Sequence, residues 1–501
     1  MNKNFLKVIF IITSFVIIST LMIIDNKLSR EIFGLKVLNN SQYEQLISDK
    51  TYQYNTEIQL YLNEKIQLPY ITDLYSYLLS TNLNNLNGIE LTDNLTDYQM
   101  LLVLNDSLEH HIQTNTPLII CIYNKEYYDV REIRLTTLPT MFITTKDNLE
   151  SSMSLINPSN ERNLYEFSSS EIVYDVRGSS TIAMAKHHYR MTLKDGDKNV
   201  KLPLLNMRND DDWILNSFVI DESLSIEPLA LEIWNHLCPE YKHELRHLEL
   251  IINGMYQGIY GLMERVDFKT FKADRQEDLF IKVNTWQSNI VDPMVFHDIR
   301  FEDFHEPIKD VCLIDEFEVD NCTKENFDEI IKVLQEIHSM PTSNILVDYT
   351  SFASHELFVG LTCAQDNTYK NQRILAKNID GKWKLYKSNW DNDLSFTNYN
   401  LDDFTPFVDL SIPSYVHDDP LYLNTKAKLY LEIKNVFNKA YLTNFLETIR
   451  TNVESSGAVI RDNNLWHETY TSDFETEFNR LYNIFPEYVD AITGYYDAYF
   501  S

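Results

Sequence analysis

Residues 247–267, HLELIINGMYQGIYGLMERVD, restrict the fold of this chain more than any other stretch. Two runs of alternating apolar residues flank Asn253 and Gly254, and period-two alternation belongs to strands. Asn-Gly accepts the positive φ angles of a tight hairpin turn. A long antiparallel hairpin of this kind has to lie in a sheet with a buried face. The sequence before it supplies partners. EIVYDVRGSST at 171–181 reads as a strand ending in a Gly turn, and KHHYRMTLKDGDKNVKLPLL at 186–205 as a hairpin with DGD at its tip. One helical segment, ESLSIEPLALEIWNHLC at 222–238, is stopped by Pro239.

From Thr323 onward the spacing turns helical. KENFDEIIKVLQEIHSM, DYTSFASHELFVGLTCAQ and two long segments after residue 420 all repeat at helical period. A single hairpin, RILAKN and KWKLYKSNW joined through IDGK, interrupts them. Strands first and helices later make an α+β plan with segregated lobes, and a cleft between the lobes is where a ligand would sit. Upstream, residues 25–140 carry helical spacing at SQYEQLISD and ITDLYSYLLSTNL, then strand-like alternation from Pro117 to Thr145. The polar stretch SSMSLINPSNERN at 151–163 marks a boundary near 140–165. The expected division is an anchor over 1–28, a membrane-proximal region over 29–140 and a main domain over 141–501.

The anchor expectation comes from MNKNFLKVIFIITSFVIISTLMIIDNKLSR, with no charge between Val8 and Ile24. At about 1.5 Å per residue such a run just spans a hydrocarbon core of roughly 30 Å. The run is longer than the apolar stretch of a signal peptide, and no small-x-small cleavage site follows. An uncleaved single-pass signal anchor is the reading, with a cleaved signal peptide as its alternative. Lys3 and Lys7 precede the run while Lys27, Arg30 and Lys36 follow it, so charge does not orient it. The bulk of the chain is expected outside the cytoplasm. Five cysteines are spread widely and their odd count argues against a disulfide framework, although Cys312 and Cys322 could pair in an oxidising compartment if geometry allows. A formal net charge of −31 repels phosphate backbones and argues against a nucleic-acid partner. The same charge attracts cations and basic proteins.

The chemistry is concentrated at 361–393, LTCAQDNTYKNQRILAKNIDGKWKLYKSNWDND. Asp366 and Asn371 stand five apart before the hairpin, and Asp391 and Asp393 stand just after it. Phosphoryl transfer needs a carboxylate to orient an attacking hydroxyl and accept its proton. It also needs hard oxygen ligands for a divalent cation. The five-residue step matches the Asp and Asn of a protein-kinase catalytic loop, and a hairpin brings residues twenty apart back together. A polar loop followed by a strand-end turn would read the same way by pattern alone. Two other patterns compete. HELRH at 243–247 fits the H-E-x-x-H zinc pattern, but that chemistry needs a helix, and Pro239 and the strand beginning near His247 leave no room for one. Asp210, Asp211 and Asp212 are candidate calcium ligands or a solvated acidic turn.

Over roughly residues 140–400 the chain resembles the spore-coat protein H (CotH) family of atypical protein kinases. The resemblance is carried in order by VRGSST at 176–181, Lys186 with YRMTL, DDDWILNSFVIDESL at 210–224, the 247–267 hairpin, AQDNTYKNQ and NWDND. It implies a two-lobed kinase-like fold and transfer of phosphate from ATP, with Mg²⁺ or Mn²⁺, to Ser or Thr of a protein, possible substrates being spore-coat or envelope proteins. Residue by residue, it makes Asp366 the catalytic carboxylate. Asn371 and Asp391 become metal ligands, with Asp393 a second ligand or an orienting group. Lys186 and Arg177 would meet phosphates, with Arg190 the alternative to Lys186, and Glu264 would lie where adenine binds. Three departures stand out: Ser179 where the family has Asn, Ile226 and Glu227 where it commonly has Arg, and no Gly shortly after NWDND. A weakened kinase, a pseudokinase or a surface binding module of the same family are the alternatives these departures leave.

Overall fold

The computed structural model describes residues 31–501 except 63–65, 73, 75, 82–87, 92–94, 146–149, 159–165, 179–180, 284–299, 304–310, 315–316, 338–345, 398–404, 411 and 413. The expected anchor, residues 1–28, lies outside the described residues, as does Ser179. No helix among the described residues is long and apolar enough to cross a membrane.

The chain is α+β. Its central element is the sheet that the 247–267 hairpin requires. Strands Leu245–Ile252 and Met255–Glu264 pair antiparallel across Asn253 (φ 52°) and Gly254 (φ 76°). Around them the order is Glu166–Arg177, Ser151–Asn157, Thr140–Thr145, Leu245–Ile252, Met255–Glu264, Asp212–Asn216 and His188–Asp195. The strand Glu166–Arg177 also pairs with His188–Asp195, so the sheet closes on itself as a barrel. Closure leaves no long free edge. Met141, Leu155, Met191, Trp213, Leu250, Tyr260 and Leu262 are packed together in its core.

Before the barrel, strands Glu31–Ile32, Leu35–Leu38, Gln99–Val103, Leu118–Tyr123, Tyr127–Thr136, Ser76–Ser80 and Tyr70–Ile71 form a second sheet with its own core. SQYEQLISD is helical as expected, within Asn40–Ile47 and capped by Asn39. ITDLYSYLLSTNL is not. Its described part contributes the strands Tyr70–Ile71 and Ser76–Ser80, and all five residues of the latter are buried. A strand covered on both faces loses its period-two signature, and an unbroken apolar run then imitates a helix.

The second half also departs from the simple helical expectation. The hairpin Gln372–Ile379 and Lys382–Asn389 is the middle of a six-stranded sheet. Leu279–Val283, Phe317–Asp320 and Val311–Ile314 lie on one side, and Leu346–Val347 on the other. Helix Tyr349–Thr362 is buried from Ser351 to Thr362 between helices Ile226–Leu237 and Pro420–Ile433, as an all-round apolar helix must be. Cys322 is disulfide-bonded, whereas Cys121, Cys238 and Cys363 are free and buried. The side chain of Cys312, its expected partner, is outside the described set.

The glycines of the long hairpin have specific work. A Cβ on Gly258 would lie 2.0 Å from Asp462 Oδ1, and the residue has a φ of +97°. Asp462 belongs to helix Ala458–Trp466, whose carboxylate accepts from Ile259 N at 2.8 Å. Gly258→Ala should therefore cost about 1–2 kcal/mol from the backbone alone, with the overlap added. Urea denaturation checks this, and a midpoint equal to that of the unmodified protein would remove the close-approach argument.

Candidate active site

Four elements converge where the barrel meets the six-stranded sheet. The strand Glu166–Arg177 delivers Arg177 and then breaks at Gly178 (φ 118°). Helix Ile226–Leu237 opens with Glu227 in its first turn. Helix Tyr349–Thr362 ends at Cys363, and the 3₁₀ turn Gln365–Thr368 follows, carrying Asp366. The hairpin Gln372–Asn389 then returns the chain to Asp391 and Asp393.

Hydrogen bonds tie the loop before the hairpin to the turn after it. Asn367 Nδ2 donates to Trp390 O at 2.9 Å and faces Asn392 Oδ1 at 3.4 Å. Asn371 Nδ2 lies 3.5 Å from Asp391 O. Asn389 Nδ2 donates to Asn392 Oδ1 at 3.2 Å. The backbone here is held in a costly conformation: Cys363, Asn371, Asp391 and Phe396 have φ of 48°, 57°, 60° and 59°. Non-glycine residues in this region cost of order 1–3 kcal/mol each and gather at functional sites.

The carboxylates share one electrostatic environment. The Asp393 carboxyl is held well above the usual carboxylate range, first by burial and then by the charges of Asp391, Glu227, Asp366 and Asp221. Glu227, fully buried, is pushed up to about 8 by burial and by Asp391. It accepts from Asn392 N at 2.8 Å and Asn392 Nδ2 at 3.1 Å. Asp221, just upstream, is raised to about 6, chiefly by burial, and accepts from Ile226 N at 2.8 Å. Sequence reasoning noted Glu227 only as a departure and missed Asn367, Asn392 and Asp221. Their signal was present only as polar residues within otherwise apolar or turn segments. Asp366 is ion-paired with Lys370 at 2.7 Å. Its charge acts on Asp393, which puts it in the same group.

Mg²⁺ takes oxygen ligands and normally keeps one or two protein carboxylates, completing its shell with waters and substrate phosphates. Among the described residues no three His, Cys, Asp or Glu side chains form a ready-made cage. The Asn371 amide lies 3.5 Å from the Asp391 backbone carbonyl, and the charge of Asp391 acts on Asp393; an amide with carboxylates is the donor set of a cation shared with phosphates. Two buried polar atoms close to them in sequence, Asn389 Oδ1 and Ser395 Oγ, have no hydrogen-bond partner among the described residues, as happens where an ion or ligand completes a site. The residues fit the cation.

The sequence model of one protein family, described as CotH kinase protein, matches residues 175–490. The chain belongs to the CotH kinase family. The match begins within the barrel strand Glu166–Arg177 and ends within the last helix, Phe474–Tyr499. No curated protein matches the chain.

In this member of the CotH kinase family the other expected cofactor residues have the following surroundings. Lys186 is completely buried, and its ammonium donates to Ile259 O at 3.0 Å, Asp462 Oδ1 at 2.8 Å and Tyr470 Oη at 2.8 Å. Those three bonds use all three of its hydrogens. Arg190, the alternative to Lys186, is held bidentate by Asp212 at 3.0 and 2.7 Å. Glu264 ends the barrel strand as expected, but its carboxylate accepts from Arg208 N at 2.6 Å and Glu244 N at 3.0 Å. Arg177 is half-buried, with its guanidinium over the Trp390 ring at 5.3 Å.

HELRH does not form a zinc site. Leu245 starts a strand, so His243 and His247 do not share a helical face. His247 Nε2 is bonded to Leu224 O at 2.9 Å, and Glu244 is paired with Lys242 and Arg246. Asp210–Asp212 are likewise committed to Arg208, Lys269, Arg190 and Arg265.

Proposed function

We propose that this chain is an ATP- and Mg²⁺-dependent protein kinase that phosphorylates Ser or Thr of a basic protein substrate, of spore-coat or cell-envelope type. The observation that carries this is the assembly of Asp366, Asn371, Asp391 and Asp393 in one site by the two sides of the hairpin. Asp366 orients the substrate hydroxyl. As its oxygen bonds to the γ-phosphorus, the bond from that phosphorus to the β–γ bridging oxygen breaks and ADP leaves. The hydroxyl proton passes to the Asp366 carboxylate. Asn371 and Asp391, with Asp393, would hold Mg²⁺, which neutralises phosphate charge when bound.

A cleft of about 520 Å³ beside the site is lined in part by Asp221, Ser223, Ile226, Glu222, Glu477 and Arg480. Its excess of carboxylates, together with the net charge of −31, favours a basic polypeptide. The disulfide at Cys322 favours an oxidising compartment and so an extracytoplasmic domain behind the N-terminal anchor. One observation favours a second reading, nucleotide binding without turnover: all three donors of Lys186 are spent inside the protein.

Incubation of the full chain with labelled ATP, Mg²⁺ and a panel of basic proteins separates the two. Label on Ser or Thr supports the kinase, and nucleotide binding without label supports the second reading. Asp391→Ala should reduce Mg²⁺-dependent ATP affinity by tenfold or more, because phosphate would lose the counter-charge that the carboxylate holds in place. Calorimetric titration checks it, and an unaltered affinity would remove Asp391 from the metal site.

A further inference from the structure

The buried cations of this protein follow a rule with one exception. Among the described residues, Arg131, Lys186, Lys282, Lys387, Lys426 and Arg461 are buried, and each is bonded to a carboxylate. Burying a charge without a partner is expensive, so pairing is expected. Arg373 is only 8% exposed, yet among the described residues its guanidinium makes one hydrogen bond, from Nη1 to Gln372 O at 3.0 Å, and no ion pair. The Arg177 guanidinium makes neither a hydrogen bond nor an ion pair with any described residue. The two come from different sheets, and both lie against one ring: Trp390, at 5.1 Å for Arg373 and 5.3 Å for Arg177. Trp390 immediately precedes Asp391, whose carboxylate also forms no ion pair with a described residue. One buried guanidinium, one half-buried guanidinium and a metal-site carboxylate are thus grouped around Trp390 without an ion pair among them.

We infer that Arg177 and Arg373 form a clamp for the phosphate oxygens of a polyphosphate ligand, and that Lys186 is a structural tether instead. This rests on the nucleotide reading of the Asp391 site and deepens it. A guanidinium presents parallel donors that match two phosphate oxygens, and stacking on an indole fixes its plane. An anion bridging the two arginines would supply the counter-charge that neither guanidinium finds among the described residues. The helix after Asp221 has Ile226 and Glu227 where an arginine was expected, and the clamp supplies the missing positive charge from elsewhere.

The test is calorimetric titration of the full chain with inorganic tripolyphosphate, and separately with ATP, each with and without Mg²⁺. Arg177→Gln and Arg373→Gln should each weaken tripolyphosphate about ten- to hundredfold, the worth of a charge-assisted hydrogen bond. Arg373→Lys should recover only part, since the charge returns without the fork. Arg177→Gln keeps the test decisive if the more buried Arg373→Gln fails to fold. Unchanged affinity in folded Arg177→Gln and Arg373→Lys, or no binding of tripolyphosphate and ATP by the unmodified chain, overturns the clamp. Arginine-dependent tripolyphosphate binding without phosphoryl transfer would leave the clamp standing and sink the kinase. Transfer with an unaltered KM for ATP in both variants would do the opposite.

Discussion

Asp366→Asn should lower phosphoryl transfer by about 10²–10⁴, the usual worth of a positioned general base, while ATP affinity stays within about twofold. The amide keeps the shape of the carboxylate and can still orient a hydroxyl, but it cannot take the proton. The fold should tolerate the change. Asp366 sits on a short 3₁₀ turn and pairs with Lys370, whose side chain is 27% exposed, and a partly exposed pair contributes little to stability. The same substitution at Asp391 should weaken nucleotide binding itself, because that residue is the one proposed to hold the metal. Glu244→Gln should change neither, since Glu244 is a strand-entry carboxylate bonded to Lys242 and Arg246. Measuring transfer rate and ATP affinity side by side for the three variants checks the assignment. Near-normal transfer by Asp366→Asn would leave the 361–393 stretch as an ordinary polar loop and hairpin.

Much of this site was legible because its geometry is local. Asp366 to Asp391 spans one hairpin, and Asn-Gly and Asp-Gly turns with alternating flanks announce hairpins plainly. The carboxylates and Asn371 therefore had to meet once the hairpin formed. The long hairpin at 247–267 was legible for the same reason. What stayed hidden depended on distant partners. Arg373 reads as one more residue of an alternating strand, and nothing local tells that Arg177, almost two hundred residues earlier, stacks on the same ring. Ser76–Ser80 was misread because burial on both faces erased its period. The six-stranded sheet was missed because Leu279–Val283 and Phe317–Asp320 are short strands whose partner, Gln372–Ile379, lies far along the chain. Lys186 shows the limit most clearly. The family resemblance implied a phosphate contact for it, but its partner Asp462 is 276 residues away.

That partnership leads to the second large expected effect. Asp462→Ala should destabilise the protein by about 3–5 kcal/mol, the cost of stranding a buried charge. The carboxylate accepts from Lys186 Nζ and Ile259 N through Oδ1, each at 2.8 Å, and from Tyr470 Oη through Oδ2 at 2.6 Å. Removing it leaves an ammonium with no exposure to water, and it frees a barrel amide and a phenol as well. The next residue along the helix, Arg461, is bidentate to Glu249 at 2.8 and 2.9 Å and also bonds Asn115 Oδ1 at 2.8 Å. Helix Ala458–Trp466 thus fastens the barrel to the N-terminal sheet, and loosening Asp462 should weaken both junctions. Lys186→Met should cost less than Asp462→Ala, because methionine fills the same space without a charge to satisfy. In the double variant the stranded ammonium is gone, so it should be more stable than Asp462→Ala alone. Urea denaturation followed by tryptophan fluorescence measures all three. If the two single effects simply add, Lys186 and Asp462 are not an energetic pair, and Lys186 returns as a candidate for the phosphate side of the site.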